Sequence, residues 1–207
     1  MANAQNNSKS NVTKLVITAM LSAVAFALQY IEVSIPLVPS FLKLDFSDIP
    51  ELIGAFVIGP MGGAAICLVK NLLHLPFTSS VGVGELANFL LGAVFSASAG
   101  WLYKRNKTKK TALIACITGA VLMALVCIPL NYFIVYPFFA KLWANGNMDI
   151  IINMYKAILP SSDTLAKSLL IFNTPFNLVK GLLVSIVVML CYKRLSVLYK
   201  SIGRPKS

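Results

Sequence analysis

The chain has 207 residues, 57% hydrophobic and only 12% charged, with a mean hydropathy of +0.78 and a formal charge of +11. This composition excludes an ordinary soluble domain and describes a membrane protein, because a spanning helix takes about 20 mostly apolar residues and little chain is left over. The positive charge does not point to nucleic acid. It flanks apolar runs: Lys9 and Lys14 before the first, Lys104, Arg105, Lys107, Lys109 and Lys110 between two others, and Lys193, Arg194, Lys200, Arg204 and Lys206 after the last. That is the pattern of cytoplasmic flanks.

In chain order, residues 1–11 are polar and lack the apolar core of a cleaved signal, so the first apolar run, about residues 12–31, is expected to be a retained span. Ala19, Ala23 and Ala27 repeat every fourth position there and form a smooth stripe, suited either to internal packing or to docking of a partner protein. Pro36 and Pro39 break the helix, and the connection SIPLVPSFLKLDFSDIPE carries Asp45, Asp48 and Glu51. A second span starts near Ile49 and ends at Gly59-Pro60; a third runs from Met61 to Pro76. Both are shorter than a full crossing, and short segments interrupted by Gly and Pro point to a binding region in transporters. The third carries Lys70-Asn71, and a lysine inside a bilayer helix is costly and marks a site.

The fourth span covers about residues 84–103, beginning with Glu85 and Asn88 at i and i+3 and carrying a second small-residue stripe, Gly92, Ser96 and Gly100. The fifth covers about residues 112–136, with Asn131 and Tyr132 shortly after Pro129. A more polar connection follows over residues 137–164. The sixth, about residues 165–190, places Asn173, Asn177 and Lys180 at i, i+4 and i+7 on one helical face, with Pro175 expected to kink the helix among them. An asparagine offers both a donor and an acceptor, so Asn88, Asn131 and Asn177 together suit the polar edge of a planar ligand. Phe41, Phe46, Phe89, Tyr132, Phe133, Tyr136 and Phe176 cluster near the expected outer ends, either as walls for a flat ligand or as an interfacial belt.

Placing the basic flanks inside gives an all-α, multi-pass integral membrane protein: a six-transmembrane-helix bundle with cytoplasmic N- and C-termini. The chain is then one membrane domain, residues 1–207, with a polar N-terminus, a bundle over residues 12–194 and a basic tail over residues 195–207. Cys67, Cys116, Cys127 and Cys191 have no metal-ligand spacing and read as buried, inert thiols; no metal is expected. His74 is the only histidine, and no GxxxxGK[ST] phosphate loop is present, so any ATP-driven step needs a partner. No catalytic constellation is complete. Two alternatives use the remaining charges: an intramembrane enzyme with Glu85 or Asp48 as base and His74 as acid, and a proton-coupled secondary transporter with Glu85 and Lys180 in its relay.

Three blocks together, LKLDFSDIPELIGAFVIGPMGGAAICLVKNLLHL, VGVGELANFLLG and PFNLVKG, resemble the riboflavin-specific S components of energy-coupling factor (ECF) transporters, the RibU family. The resemblance runs from about Ala19 to Arg194. It implies a six-helix protein in the plasma membrane of a bacterium that captures riboflavin outside the cell, as a transported ligand and not a cofactor. The partners it implies are a transmembrane coupling protein and two ATP-binding-cassette (ABC) ATPases. The family's docking stripe matches Ala19, Ala23 and Ala27, and its flavin contacts in the last helix match Asn177 and Lys180. First-loop contacts are expected around Leu44, Asp45, Phe46 and Ser47, with others at Asn88 and Asn131. S components for thiamin, biotin, folate or pantothenate share the scaffold, so the ligand rests on these blocks and not on the fold.

Overall fold

The structure, a computed structural model, describes the backbone of residues 2–78, 80–143 and 145–203, and side chains only from residue 11 to residue 193. The sequence calls at Lys9, Arg194, Lys200, Arg204 and Lys206 lie outside the described side chains.

Helix α1 (Ala2–Tyr30) leads into a minimal antiparallel hairpin, β1 (Val33–Ser34) and β2 (Lys43–Leu44), with Val33 opposite Leu44. Two short helices follow, α2 (Asp48–Val57) and α3 (Pro60–His74). Their turn uses Gly59 at φ +119°, a conformation only glycine adopts cheaply, and Pro60 at the first helical position, where its missing N–H costs nothing. The long helices α4 (Val83–Arg105) and α5 (Lys109–Leu130) are joined by Asn106–Thr108, the Thr108 hydroxyl capping α5 by accepting from the Thr111 N–H. The expected polar connection after α5 holds more structure than the sequence suggested. It contains nearly all of α6 (Tyr136–Trp143) and the whole of α7 (Met148–Lys156); α8 (Leu165–Ser168) and α9 (Thr174–Gly203) follow in the expected sixth span.

Among the described residues, four helical stretches are long and apolar enough to cross a membrane: Asn11–Tyr30, Val83–Arg105, Lys109–Trp143 and Leu165–Lys193. They match the expected first, fourth, fifth and sixth spans. The expected second and third are α2 and α3, of 10 and 15 residues, which lie in the bundle without the length of a full crossing. Apart from the hairpin the architecture is all-α.

The main core joins α2, α4, α5 and α9 through Leu52, Phe56, Phe95, Ala115, Met123, Val184 and Val188. The stripe on α4 serves this packing. A side chain at Gly92 would meet Cys67 Sγ and Glu51 Oε2 at 2.8 Å, one at Gly100 would meet Ala55 at 2.9 Å, and Ser96 is fully buried between them. The stripe on α1 does the opposite: Ala19, Ala23 and Ala27 are all exposed. Of the four cysteines, Cys67, Cys116 and Cys127 are buried, but Cys191 is exposed, since it falls on the outer face of α9.

Two π-helical turns, Asn131–Val135 and Leu169–Asn173, interrupt the long helices. Pro129 lies just before the first and Pro175 just after the second, so each is found where a proline removes a ladder donor. In place of a single expected kink at Pro175 there are two widened turns, and residues of both line one cavity.

Candidate ligand-binding site

The two π turns open a cavity of about 340 Å³ at the end of the bundle that carries the hairpin, the α3–α4 connection and α6–α8. This lies within the ~300–1,000 Å³ range of small-molecule sites. The opposite end carries the α2–α3 turn and the basic α4–α5 connection.

One wall is aromatic and rigid. Tyr155 of α7, fully buried, donates from its hydroxyl to Asn173 Oδ1 at 2.7 Å, and Asn173 Nδ2 donates to the Tyr136 hydroxyl at 2.8 Å. Phe41, from the loop between β1 and β2, packs edge-on against Tyr136, Phe139 and Tyr155, with ring centroids 5.7–6.0 Å apart. Asn173 is therefore spent on holding this wall, although it shares a face with Asn177.

The floor is a ladder of buried charges. Lys70 of α3 reaches Glu51 at 2.5 Å and Asp48 at 3.1 Å, and also donates to the Ser47 hydroxyl. Lys180 of α9 reaches Asp45 at 3.0 Å and Asp48 at 3.2 Å. Lys70 is completely buried and Lys180 only 6% exposed, so each ammonium is stable there only because carboxylates surround it. Burial alone would raise the Asp45 carboxyl, but Lys180 and Lys70, together with the Ser47 hydroxyl, outweigh it and hold the group well below the usual carboxylate range. Glu85 takes no part in the ladder. It pairs with His74 Nδ1 at 2.8 Å and accepts from the Thr78 hydroxyl at 2.7 Å, tying the α3–α4 connection to the cavity rim.

Of the residues expected at the site, Asn88, Asn131, Asn177, Lys180 and Asp45 line the cavity. Leu44, Phe46 and Ser47 do not. Ser47 is turned inward to hold Asp45 and Lys70, Leu44 is fixed in the hairpin, and Phe46 is 38% exposed. Among the expected aromatics, Phe41, Tyr136 and Phe176 line it, whereas Phe89 does not and Tyr132 and Phe133 face outward. Sequence reasoning missed Gln29, Phe139 and Tyr155. Gln29, near the end of α1, lines the cavity, donates to Asn71 Oδ1 at 3.1 Å, and has a buried Oε1 with no partner among the described residues. Asn71 is thereby a link between α1 and α3.

The side-chain amide of Asn177 has a fixed sense. The Asn173 carbonyl, which can only accept, takes a hydrogen bond from Asn177 Nδ2 at 2.8 Å. Lys180 stands three residues further on the same face. The cavity therefore presents an amide oxygen acceptor and an ammonium donor side by side, beneath an aromatic and apolar wall.

Residues 13–192 match the family model for the substrate-specific component of ECF transporters. The chain is 38% identical over 91% of its length to the riboflavin transporter RibU of Staphylococcus aureus (strain TCH60), covering 93% of that protein. It is 31% identical over 89% of its length to the riboflavin transporter FmnP of Bacillus subtilis (strain 168), covering 92% of it. A solved structure of the S component of a bacterial ECF transporter superposes with a TM-score of 0.71 at 34% identity, covering 94% of this chain and 99% of that one.

Proposed function

This chain belongs to the substrate-specific S components of ECF transporters, and on that premise we propose that its ligand is riboflavin, bound in the cavity between the two π turns. It is a multi-pass membrane transport component, not an enzyme. The observation that carries the riboflavin reading is the pairing of Asn177 and Lys180 on adjacent turns of α9 in an aromatic-walled cavity.

The pyrimidine edge of a flavin is a carbonyl, an N–H and a second carbonyl in a row. With Asn177 Nδ2 engaged by the Asn173 carbonyl, Oδ1 accepts from the flavin N–H. Lys180 donates one proton to Asp45 and lies 3.2 Å from the Asp48 carboxylate, and it donates another to the neighbouring flavin carbonyl. The aromatic wall built on Phe41 and Tyr136 covers the ring system, and Gln29, Asn88 and Asn131 are placed for the polyhydroxyl tail.

Charge supports a neutral vitamin over an anionic one. The cavity is lined by Glu32, Asp45, Asp48 and Glu85, and both of its lysines, Lys43 and Lys180, already pair with carboxylates. The carboxylates of biotin, pantothenate or folate would meet like charge there.

The transport cycle extends the same reading. The cavity end faces outside, the basic end and both termini lie in the cytoplasm, and α2 and α3 complete a six-helix bundle in the bacterial plasma membrane as a single membrane domain. The exposed Ala19, Ala23 and Ala27 dock the transmembrane coupling protein, and two ABC ATPases supply the energy. The direct test is to purify the full chain in detergent and identify what comes with it. The expected sample is yellow, with a flavin absorption band and a riboflavin mass. A colourless sample that saturates with another vitamin would reverse the assignment.

A further inference from the structure

Lys180 has four rotatable side-chain bonds and a charge that prefers water, yet it is almost fully buried with its ammonium held at one point of the cavity floor. Two carboxylates do this, and they differ in kind. Asp45 lies in the connection between β2 and α2 and, among the described residues, accepts hydrogen bonds from Lys180 and Ser47. Asp48 lies in the first turn of α2 and divides its two oxygens: Oδ1 faces Lys70 of α3 at 3.1 Å, and Oδ2 faces Lys180 of α9 at 3.2 Å. Lys70 is in turn anchored by Glu51, one turn further along α2. The orientation of the Asp48 carboxylate is thus set by a lysine that touches no ligand.

We propose that Asp48 is a positioning residue for the ligand contact of Lys180, holding the ammonium so that one N–H remains aimed into the cavity, with Lys70 and Glu51 orienting Asp48. The proposal rests on the reading of Lys180 as a riboflavin contact. Without Asp48, Lys180 keeps one carboxylate, gains rotamer freedom, and must be ordered when the ligand binds, which weakens binding without removing the contact itself. Lys70 keeps Glu51 and Ser47, so an uncharged side chain at position 48 leaves no lysine wholly unpaired.

The test is a double-mutant cycle on the purified full chain, read by quenching of riboflavin fluorescence, with folding checked by size-exclusion profile and thermal unfolding. Asp48→Asn and Asp48→Ser are each made in the parent and in Lys180→Met. In the parent, each is expected to weaken riboflavin binding by about tenfold, somewhat less than the loss of one charged hydrogen bond. In Lys180→Met, the same substitutions are expected to change affinity by less than about threefold, because Asp48 acts through the group already removed. Equal losses in both backgrounds would overturn the positioning role. So would failure of both Asp48 variants to accumulate as folded protein, which would make Asp48 a residue of the fold. Parental affinity in Lys180→Met alone would instead overturn the flavin contact on which the proposal rests.

Discussion

In the proposed complex, Asn177 and Lys180 divide the recognition of one ring edge between an acceptor and a donor, which makes a chemical prediction. Riboflavin methylated at the pyrimidine N–H can no longer donate to Asn177 Oδ1 and adds bulk where the two meet. It should bind at least about tenfold more weakly than riboflavin, the order expected for a lost hydrogen bond that leaves a buried acceptor unpaired. Competition against riboflavin fluorescence quenching measures it, and equal affinity would remove Asn177 from the edge. The i, i+4, i+7 spacing made the face of Asn173, Asn177 and Lys180 legible in the sequence, because helical periodicity needs no tertiary information. What the spacing could not reveal is that Asn173 is consumed by two tyrosines, since one of them, Tyr155, comes from a distant helix in a connection that reads as polar. Lys70 was legible as an anomaly in the same way; the structure pairs it with Glu51 and Asp48.

At the scale of elements, two similar small-residue stripes have opposite fates. Gly92, Ser96 and Gly100 on α4 are closed against α2 and α3, where even a methyl group at Gly92 would collide. Ala19, Ala23 and Ala27 on α1 remain open, among exposed Leu15, Val16, Met20 and Val24. The sequence alone could not separate them, because both satisfy the same spacing and only the packing partners differ. An open, smooth apolar stripe on a peripheral helix suits a partner helix. Ala23→Trp is therefore expected to abolish riboflavin uptake by cells while leaving the affinity of the purified chain within about threefold, since the side chain lies away from the cavity and surface changes seldom perturb a distant site. Normal uptake by Ala23→Trp would contradict the docking role, and lost binding would place α1 in the site's own support. The prolines at 129 and 175 were likewise visible as breaks, but the π turns they accompany, and the cavity that residues of both turns line, depend on how the helices pack.

At the scale of the whole molecule, the candidate site is made inside the bundle itself, lined from α1, α2, α4, α5 and α9. Short α2 and α3 bring Asp48, Glu51 and Lys70 under the cavity, the connection before α2 adds Asp45, the long helices supply the walls, and the hairpin loop places Phe41 over one side. Burying five ionisable groups is affordable because they form one continuous ladder across three helices and a loop, and that ladder also fixes where the cavity floor lies. The measurement that bears on this account most directly is a structure of the full chain bound to riboflavin. The account predicts the ring system in the cavity between the two π turns, packed on the Phe41 and Tyr136 wall, with its pyrimidine edge within hydrogen-bond reach of Asn177 Oδ1 and Lys180 Nζ. Flavin bound elsewhere, or in this cavity with that edge turned away from both residues, would contradict it.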